Sequence, residues 1–245
     1  MTDTHGAAIV TGASRGIGAA IAGRLAADGY PVVINFAGNK AAADEVLASI
    51  EKTGGRAMLF QADVSDPTSV GRMFEAAEKE FSSVDVVVNN AGIMKLAPIA
   101  ETDDALFDSH VAINLKGTFN VLREAAKRIR SGGRIVNLSS SVVGLYFPGY
   151  SVYAATKAGI EAMTHVMVKE LRGRNVTVNV VAPGPTGTAL FLDGKPQSVI
   201  DEWTHLAPLE RLGRPEDIAN AVAFLAGPDG AWVNGQVLRV NGGVI

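Results

Sequence analysis

The sequence predicts one α/β domain built on a doubly wound, parallel, seven-stranded sheet with helices on both faces. Three observations carry that expectation. Seven short apolar runs rich in Val and Ile recur along the 245 residues with little polar alternation, as in strands buried on both faces. Segments rich in Ala and Glu, with apolar residues at helical spacing, lie between the runs, and right-handed parallel crossovers accommodate such alternation. Clusters of Gly, Asn and Ser follow the runs, and sheets of this kind bind ligands outside the carboxyl ends of their strands.

The first run, Ala7–Val10, leads into Thr11-Gly12-Ala13-Ser14-Arg15-Gly16-Ile17-Gly18 and a helix over 18–28. Glycines there permit a tight turn and close approach of backbone to a pyrophosphate, which the helix N-terminus stabilises. The spacing is GxxxGxG rather than GxGxxG. Val32–Phe36, a helix over 40–53, Ala57–Gln61 and a helix over Pro67–Phe81 follow. The fourth run, 84–88, ends in Asn89-Asn90-Ala91-Gly92, which reads either as an ordinary Asn-Gly-type turn or as a strand end small enough for a flat ligand. A helix over 104–130 contains Asn114 in an apolar setting, where an amide needs a partner, structural or functional. The run 134–138 ends in Ser139-Ser140-Ser141, and a helix over 153–171 comes next. The sixth run, 176–181, is followed by Pro183-Gly184-Pro185-Thr186-Gly187-Thr188. From there to about 209 four prolines interrupt any period, which suits a substrate lid or, failing that, a structural loop. Val237–Val240 supplies the last strand.

Composition narrows the function. A net charge of −3 gives no support for nucleic-acid binding. No run of 18 apolar residues exists, so no membrane span is expected, and residues 1–6 lack the basic and apolar regions of a secretory signal. Zero cysteines exclude disulfides, thiol nucleophiles and thiolate metal sites, in keeping with a cytoplasmic protein. The four histidines (His5, His110, His165, His205) show no metal-ligand spacing and read as solvent-facing or hydrogen-bonded side chains, so no metal is expected.

Tyr153 and Lys157 stand four apart, on one face of a helix. A phenol has an ordinary pKa of about 10, which a nearby cation lowers, and so tuned it exchanges a proton with a carbonyl or alcohol oxygen. The pair alone arises often by chance. Its position after the glycine turn, the Asn-Asn-Ala-Gly turn, Asn114 and the serine triplet sets it apart.

In that order these motifs resemble the short-chain dehydrogenase/reductase family over nearly the full chain. The resemblance implies a Rossmann-type fold and hydride transfer between a nicotinamide cofactor and a carbonyl/alcohol pair. It assigns Gly12, Ser14, Arg15, Gly16, Ile17 and Gly18 to the cofactor phosphates. Asn35, Asp63 and Val64 fall to the adenosine end, although Asp63 alone would read as a turn acid. Asn89, Ala91 and Gly92 fall to the ribose and middle, and Pro183, Gly184, Thr186 and Thr188 to the nicotinamide end. Asn114, Ser140, Tyr153 and Lys157 match the catalytic tetrad, with Tyr153 and Lys157 also touching the cofactor. The family serine sits thirteen before the tyrosine, and 153 − 140 = 13 selects Ser140; Gly144, one residue late, keeps Ser141 open. Thr186 replaces a commonly apolar residue and leaves the substrate side of its loop open.

NADP(H) is the expected cofactor. NAD-using members carry an acid eighteen residues after the last loop glycine, and 18 + 18 = 36 is Phe36 here. Arg15 stands where members place a phosphate-binding base, unless it is a solvent-exposed loop residue. The expected activity is carbonyl reduction or alcohol oxidation on a small-molecule substrate with an apolar flank. Ala189–Leu192 and the aromatic residues Tyr146, Phe147 and Tyr150 form its wall, or else close the lid on itself. A 3-oxoacyl-[acyl-carrier-protein] reductase is the rival, with Lys127, Arg128, Arg130, Arg172 and Arg174 as the docking patch or simply a solvated helix end. A non-catalytic NADPH-binding sensor is remoter, since degenerate members usually lose the tyrosine or lysine. The family commonly forms homotetramers, and the small residues of 104–130 and 153–171 and the apolar stretch 232–237 suit such contacts, unless they pack within one subunit.

Overall fold

A computed structural model of the chain describes residues 5–245; residues 1–4 of the opening segment read above for a targeting signal lie outside it. The elements run β1 (Ala7–Val10), α1 (Gly16–Ala27), β2 (Val32–Phe36), α2 (Lys40–Lys52), β3 (Ala57–Gln61), α3 (Pro67–Phe81) and β4 (Val84–Asn89). They continue with α4 (Asp104–His110), α5 (Thr118–Arg128), β5 (Ile129–Leu138), α6 (Val142–Leu145) and α7 (Ser151–Glu170). The last are β6 (Thr177–Pro183), α8 (Ala189–Leu192), α9 (Gln197–Leu206), α10 (Pro215–Ala226) and β7 (Val237–Val240).

All seven strands are parallel, in the order β3-β2-β1-β4-β5-β6-β7. The order reverses between β1 and β4, which opens a ligand crevice at their carboxyl ends. Successive residues of each strand feed different cores, which is why the strand runs do not alternate with polar residues. Val10, Ile34, Val88, Val136 and Val181 pack under α1 and α10 with Ile21, Leu25, Ile218 and Leu225. Ile9, Val33, Val87, Ile135 and Val178 face the other way, against Met73, Phe74, Val121 and Met167 of α3, α5 and α7. Each such aliphatic side chain contributes about 1.5–3 kcal/mol on burial. Asp66 caps α3 by accepting from the Thr68 and Ser69 N–H groups, and Pro67 fits its first turn.

The structure departs from the sequence reading in three places. The helix expected over 104–130 is interrupted by a π-helical turn at Val111–Gly117, centred on Asn114, and ends at Arg128. A π turn widens the helix locally and often marks a site. Strand β5 begins at Ile129, not at 134, because Ile129 pairs with Val84 before the register shifts and Arg134 pairs with Val86. The region 183–209 holds two helices, α8 and α9, whose short lengths hid their period. Among the described residues no helix is long and apolar enough to cross a membrane.

Candidate active site

The crevice is assembled by the turns that leave β1, β4, β5 and β6. After β1, Gly12 (φ 61°) and Gly16 (φ 55°) adopt left-handed backbone that disfavours a side chain. A Cβ on Gly12 would also lie 2.9 Å from the Ala91 Cα, and one on Gly18 would lie 2.3 Å from the Gly12 carbonyl oxygen. Thr11 Oγ1 accepts from the N–H groups of Asn90 and Ala91, both at 3.0 Å. The Asn90 side-chain amide donates to the Thr11 and Gly12 carbonyls, so the two turns are knitted together. Asn35 works as a latch: its Oδ1 accepts from the Gly12 N–H at 3.3 Å and its Nδ2 donates to the carbonyls of Phe60 and Ala62.

These turns bound a groove lined by the loop 12–18, by Asn35 and Phe36, by Asp63 and Val64, and by Asn90, Ala91 and Gly92. Asn89 does not line it. Asn89 is buried in the sheet, where its amide donates to Asn137 Oδ1 at 2.8 Å, and Asn137 in turn donates to Thr164 Oγ1. The strand's alternation sends Asn89 inward and leaves Asn90 facing the groove. Arg15 is exposed at the start of α1 and lines the groove; its carbonyl accepts from the Ala19 N–H, while its guanidinium has no hydrogen bond or ion pair among the described residues. The end of β2 presents buried Phe36 and no acid, and a Cβ on the neighbouring Gly38 would meet open space.

The groove runs on, past Ile17, Gly92, Ile93, Thr188 and Leu190, into a second cleft that holds Ser140, Tyr153, Lys157, Pro183, Gly184 and Thr186. Ser140 lines the cleft beside Tyr153 and lowers the pKa of its phenol, and its Oγ accepts from the Val142 N–H at 3.4 Å. Ser139 Oγ donates to Glu161 Oε1 at 2.6 Å, and Ser141 Oγ donates to the Ala182 carbonyl and accepts from Asn241 Nδ2. Ser139 and Ser141 are thus engaged away from the phenol, whereas Ser140 is not. Thr186 is buried and its hydroxyl donates to the Gly184 carbonyl at 2.9 Å, so the side chain turns into its own loop.

Lys157 Nζ donates to the Leu138 carbonyl at 2.8 Å and lies 5.7 Å from the centre of the Tyr153 ring. Burial holds its ammonium down at about 8 from the ordinary 10.5. At neutral pH it remains roughly nine-tenths charged. Burial pushes the Tyr153 phenol up to about 12; Ser140 pulls it down and Tyr150 adds to the rise. Burial is thus the largest influence on the phenol among the protein's own groups. The phenol stays protonated at neutral pH, the state of a proton donor.

Asn114 is fully buried at the π turn. Its Oδ1 accepts from the Ile93 N–H at 2.8 Å, and its Nδ2 donates to the Ile93 carbonyl at 3.0 Å and to Thr156 Oγ1 at 3.4 Å. It ties the turn after β4 to α7 at Thr156, the residue before Lys157. His110 is buried and hydrogen-bonded, with Nδ1 donating to Leu106 and Nε2 accepting from Lys95, and its ring lies 6.3 Å from that of Tyr153. Met94 and Trp203 also line the cleft and were not evident in the sequence. Trp203 comes from α9, whose period was not recognised. Among the described residues no group of three or more His, Asp or Glu is placed to hold a metal.

Comparison with known proteins agrees with this geometry. Residues 12–245 match the family model described as enoyl-(acyl carrier protein) reductase. A short-chain type dehydrogenase/reductase of Picea abies is 46% identical over 97% of this chain and 92% of its own. An NADPH-dependent aldehyde reductase-like protein of Arabidopsis thaliana is 43% identical over 97% of this chain and 93% of its own. The crystal structure of a short chain dehydrogenase from Burkholderia cenocepacia J2315 in complex with NADP superposes with a TM-score of 0.91 at 36% identity, covering 97% of this chain and 96% of that one. By sequence, fold and site together, the chain belongs to the short-chain dehydrogenase/reductase family.

Proposed function

We propose that this chain is an NADP(H)-dependent oxidoreductase that interconverts a carbonyl and a secondary alcohol, with Tyr153 as acid and base. The observation that carries this reading is the convergence of buried Tyr153 and Lys157 with Ser140 in the cleft that the groove leads into. The groove suits a dinucleotide phosphate: its floor is glycine backbone, it ends on the N-terminus of α1, Arg15 offers a guanidinium without a partner among the described residues, and β2 ends in Phe36 rather than an acid. The NADP of the Burkholderia structure and the NADPH dependence of the Arabidopsis relative support the same cofactor.

When bound, the cofactor supplies the hydride. The chain does the rest. Tyr153 gives its proton to the carbonyl oxygen in reduction and takes it back in oxidation. Ser140 orients that oxygen by hydrogen bonding. Lys157 holds the ribose hydroxyls and favours the phenolate left behind. Asn114 positions Ile93 and the face of α7 that carries Lys157. Arg15 binds the 2′-phosphate through a charge-assisted hydrogen bond.

The acyl-carrier reading keeps the same chemistry but gains no support from its proposed docking residues. Lys127 pairs with Glu124, Arg128 with Glu75, Glu78 and Glu124, and Arg130 with Asp85, while Arg174 donates to the Ala126 and Ile129 carbonyls. Only Arg172 of the five is exposed without such a partner. A homotetramer is supported by Phe107, Phe119 and Val166, exposed on α4, α5 and α7, and by Trp232, 98% exposed before β7. A panel of ketones, aldehydes, 3-oxoacyl thioesters and sugars, assayed with NADPH and NADH, tests the reading. Reduction of an apolar ketone or aldehyde with NADPH is expected; faster turnover with NADH, or of free sugars, would reject it.

A further inference from the structure

The cleft beside Tyr153 has a composition that the proton chemistry does not require. Lys157 is the one charged side chain among its described lining, with one N–H given to the Leu138 carbonyl. The proposed function uses that cation on the ribose and the phenolate, and no carboxylate lines the cleft, so an uncharged substrate suits it best. Met94, Val142, Leu145 and Leu190 give the wall an apolar side. Into this wall α9 projects Trp203.

The Trp203 ring is fixed by two near-perpendicular ring contacts. Phe147 lies 4.9 Å away at 71° and Phe191 lies 5.8 Å away at 88°. From Phe147 the rings continue to Tyr150 at 6.3 Å, and from Tyr150 to Tyr153 at 6.4 Å and 65°. A file of rings thus joins the lid helix to the reacting phenol. Aromatic pairs at such distances gain more than their buried area alone supplies, and a ring already fixed by its neighbours loses little freedom when another ring packs on it.

We propose that the carbonyl compound taken here carries an aromatic ring beside its carbonyl, and that Trp203 is the specificity-determining side chain against which that ring packs. This rests on the reading of Tyr153 as proton donor. It adds the substrate class and assigns it to a residue outside the reacting groups.

The test uses two methyl ketones of matched skeleton, acetophenone and cyclohexyl methyl ketone, reduced with NADPH by the wild type and by Trp203→Leu and Trp203→Phe. The ratio of kcat/KM, aryl over saturated, is expected to fall about two- to tenfold in Trp203→Leu, the range of one aromatic pair, and to persist in Trp203→Phe. Comparing ratios removes the intrinsic difference in reactivity. Competitive inhibition of the wild type by 1-phenylethanol and 1-cyclohexylethanol supplies the measurement that needs no variant, and the aryl alcohol is expected to bind about two- to tenfold tighter. A ratio unchanged in Trp203→Leu, or equal inhibition by the two alcohols, overturns the inference while the saturated ketone is still reduced. Reduction of neither ketone overturns the inference and the proposed function together.

Discussion

Replacing Lys157 by Met gives a stability test of the site that needs neither substrate nor cofactor. Burial lowers the lysine from 10.5 to about 8 in the folded chain. The folded state therefore binds fewer protons than the unfolded chain between those values, and wild-type stability rises with pH there. The cost of the buried charge is fully present below about 8 and is lost as pH approaches the unfolded value. Taking both titrations together, the lysine's contribution improves by a few kcal/mol between pH 7 and pH 10. Methionine does not titrate and fills similar space, and the other titrating groups largely cancel in the difference. Urea unfolding of both proteins at pH 7 and pH 10 reads it out. The stability gap should move in favour of the wild type by roughly 2–3 kcal/mol as pH rises. A gap independent of pH, or one moving toward the variant, would show that the ammonium is not desolvated and would remove this account of the site.

Three further outcomes follow from the same contacts. Tyr153→Phe should lower kcat by at least about a hundredfold while NADPH still binds, as titration of cofactor fluorescence would show, because only the proton donor is deleted. Arg15→Ala should reduce the preference for NADPH over NADH by about ten- to a hundredfold in kcat/KM, the worth of one charged hydrogen bond; an unchanged ratio would place the phosphate elsewhere. Asn114→Leu should lower the urea midpoint, since it strips both partners from the Ile93 backbone at about 1–3 kcal/mol per unpaired group; an unaltered midpoint would mean that water replaces the amide.

The strands were legible because their side chains are apolar on both faces, and that pattern survives in sequence without any knowledge of partners. The ligand edge was legible because glycine, asparagine and serine cluster where the backbone must turn or come close, as at Gly12 and Gly18. Orientation within those clusters was not. Asn89 and Asn90 are the same residue type, and only strand alternation decides that one bonds Asn137 while the other faces the groove. Three adjacent serines are alike in sequence, and only the hydrogen bonds of Ser139 to Glu161 and of Ser141 to Ala182 separate them from Ser140. The segment 183–209 was opaque for another reason. Helices of 4 and 10 residues carry too few turns to show a period, so Trp203 stayed hidden. The i,i+4 spacing placed Tyr153 and Lys157 on one face but did not show how deeply both are buried, and burial is the largest influence on each.

The central claim is that hydride comes from a nicotinamide and the proton from Tyr153, and isotope tracing tests it most directly. Acetophenone or another ketone reduced by the wild type with NADPH deuterated at the transferring position should give alcohol carrying one deuterium on the carbinol carbon, and Tyr153→Phe should give essentially none under the same conditions. Alcohol formed without deuterium on that carbon, or an equal yield of labelled alcohol from Tyr153→Phe, would contradict the account.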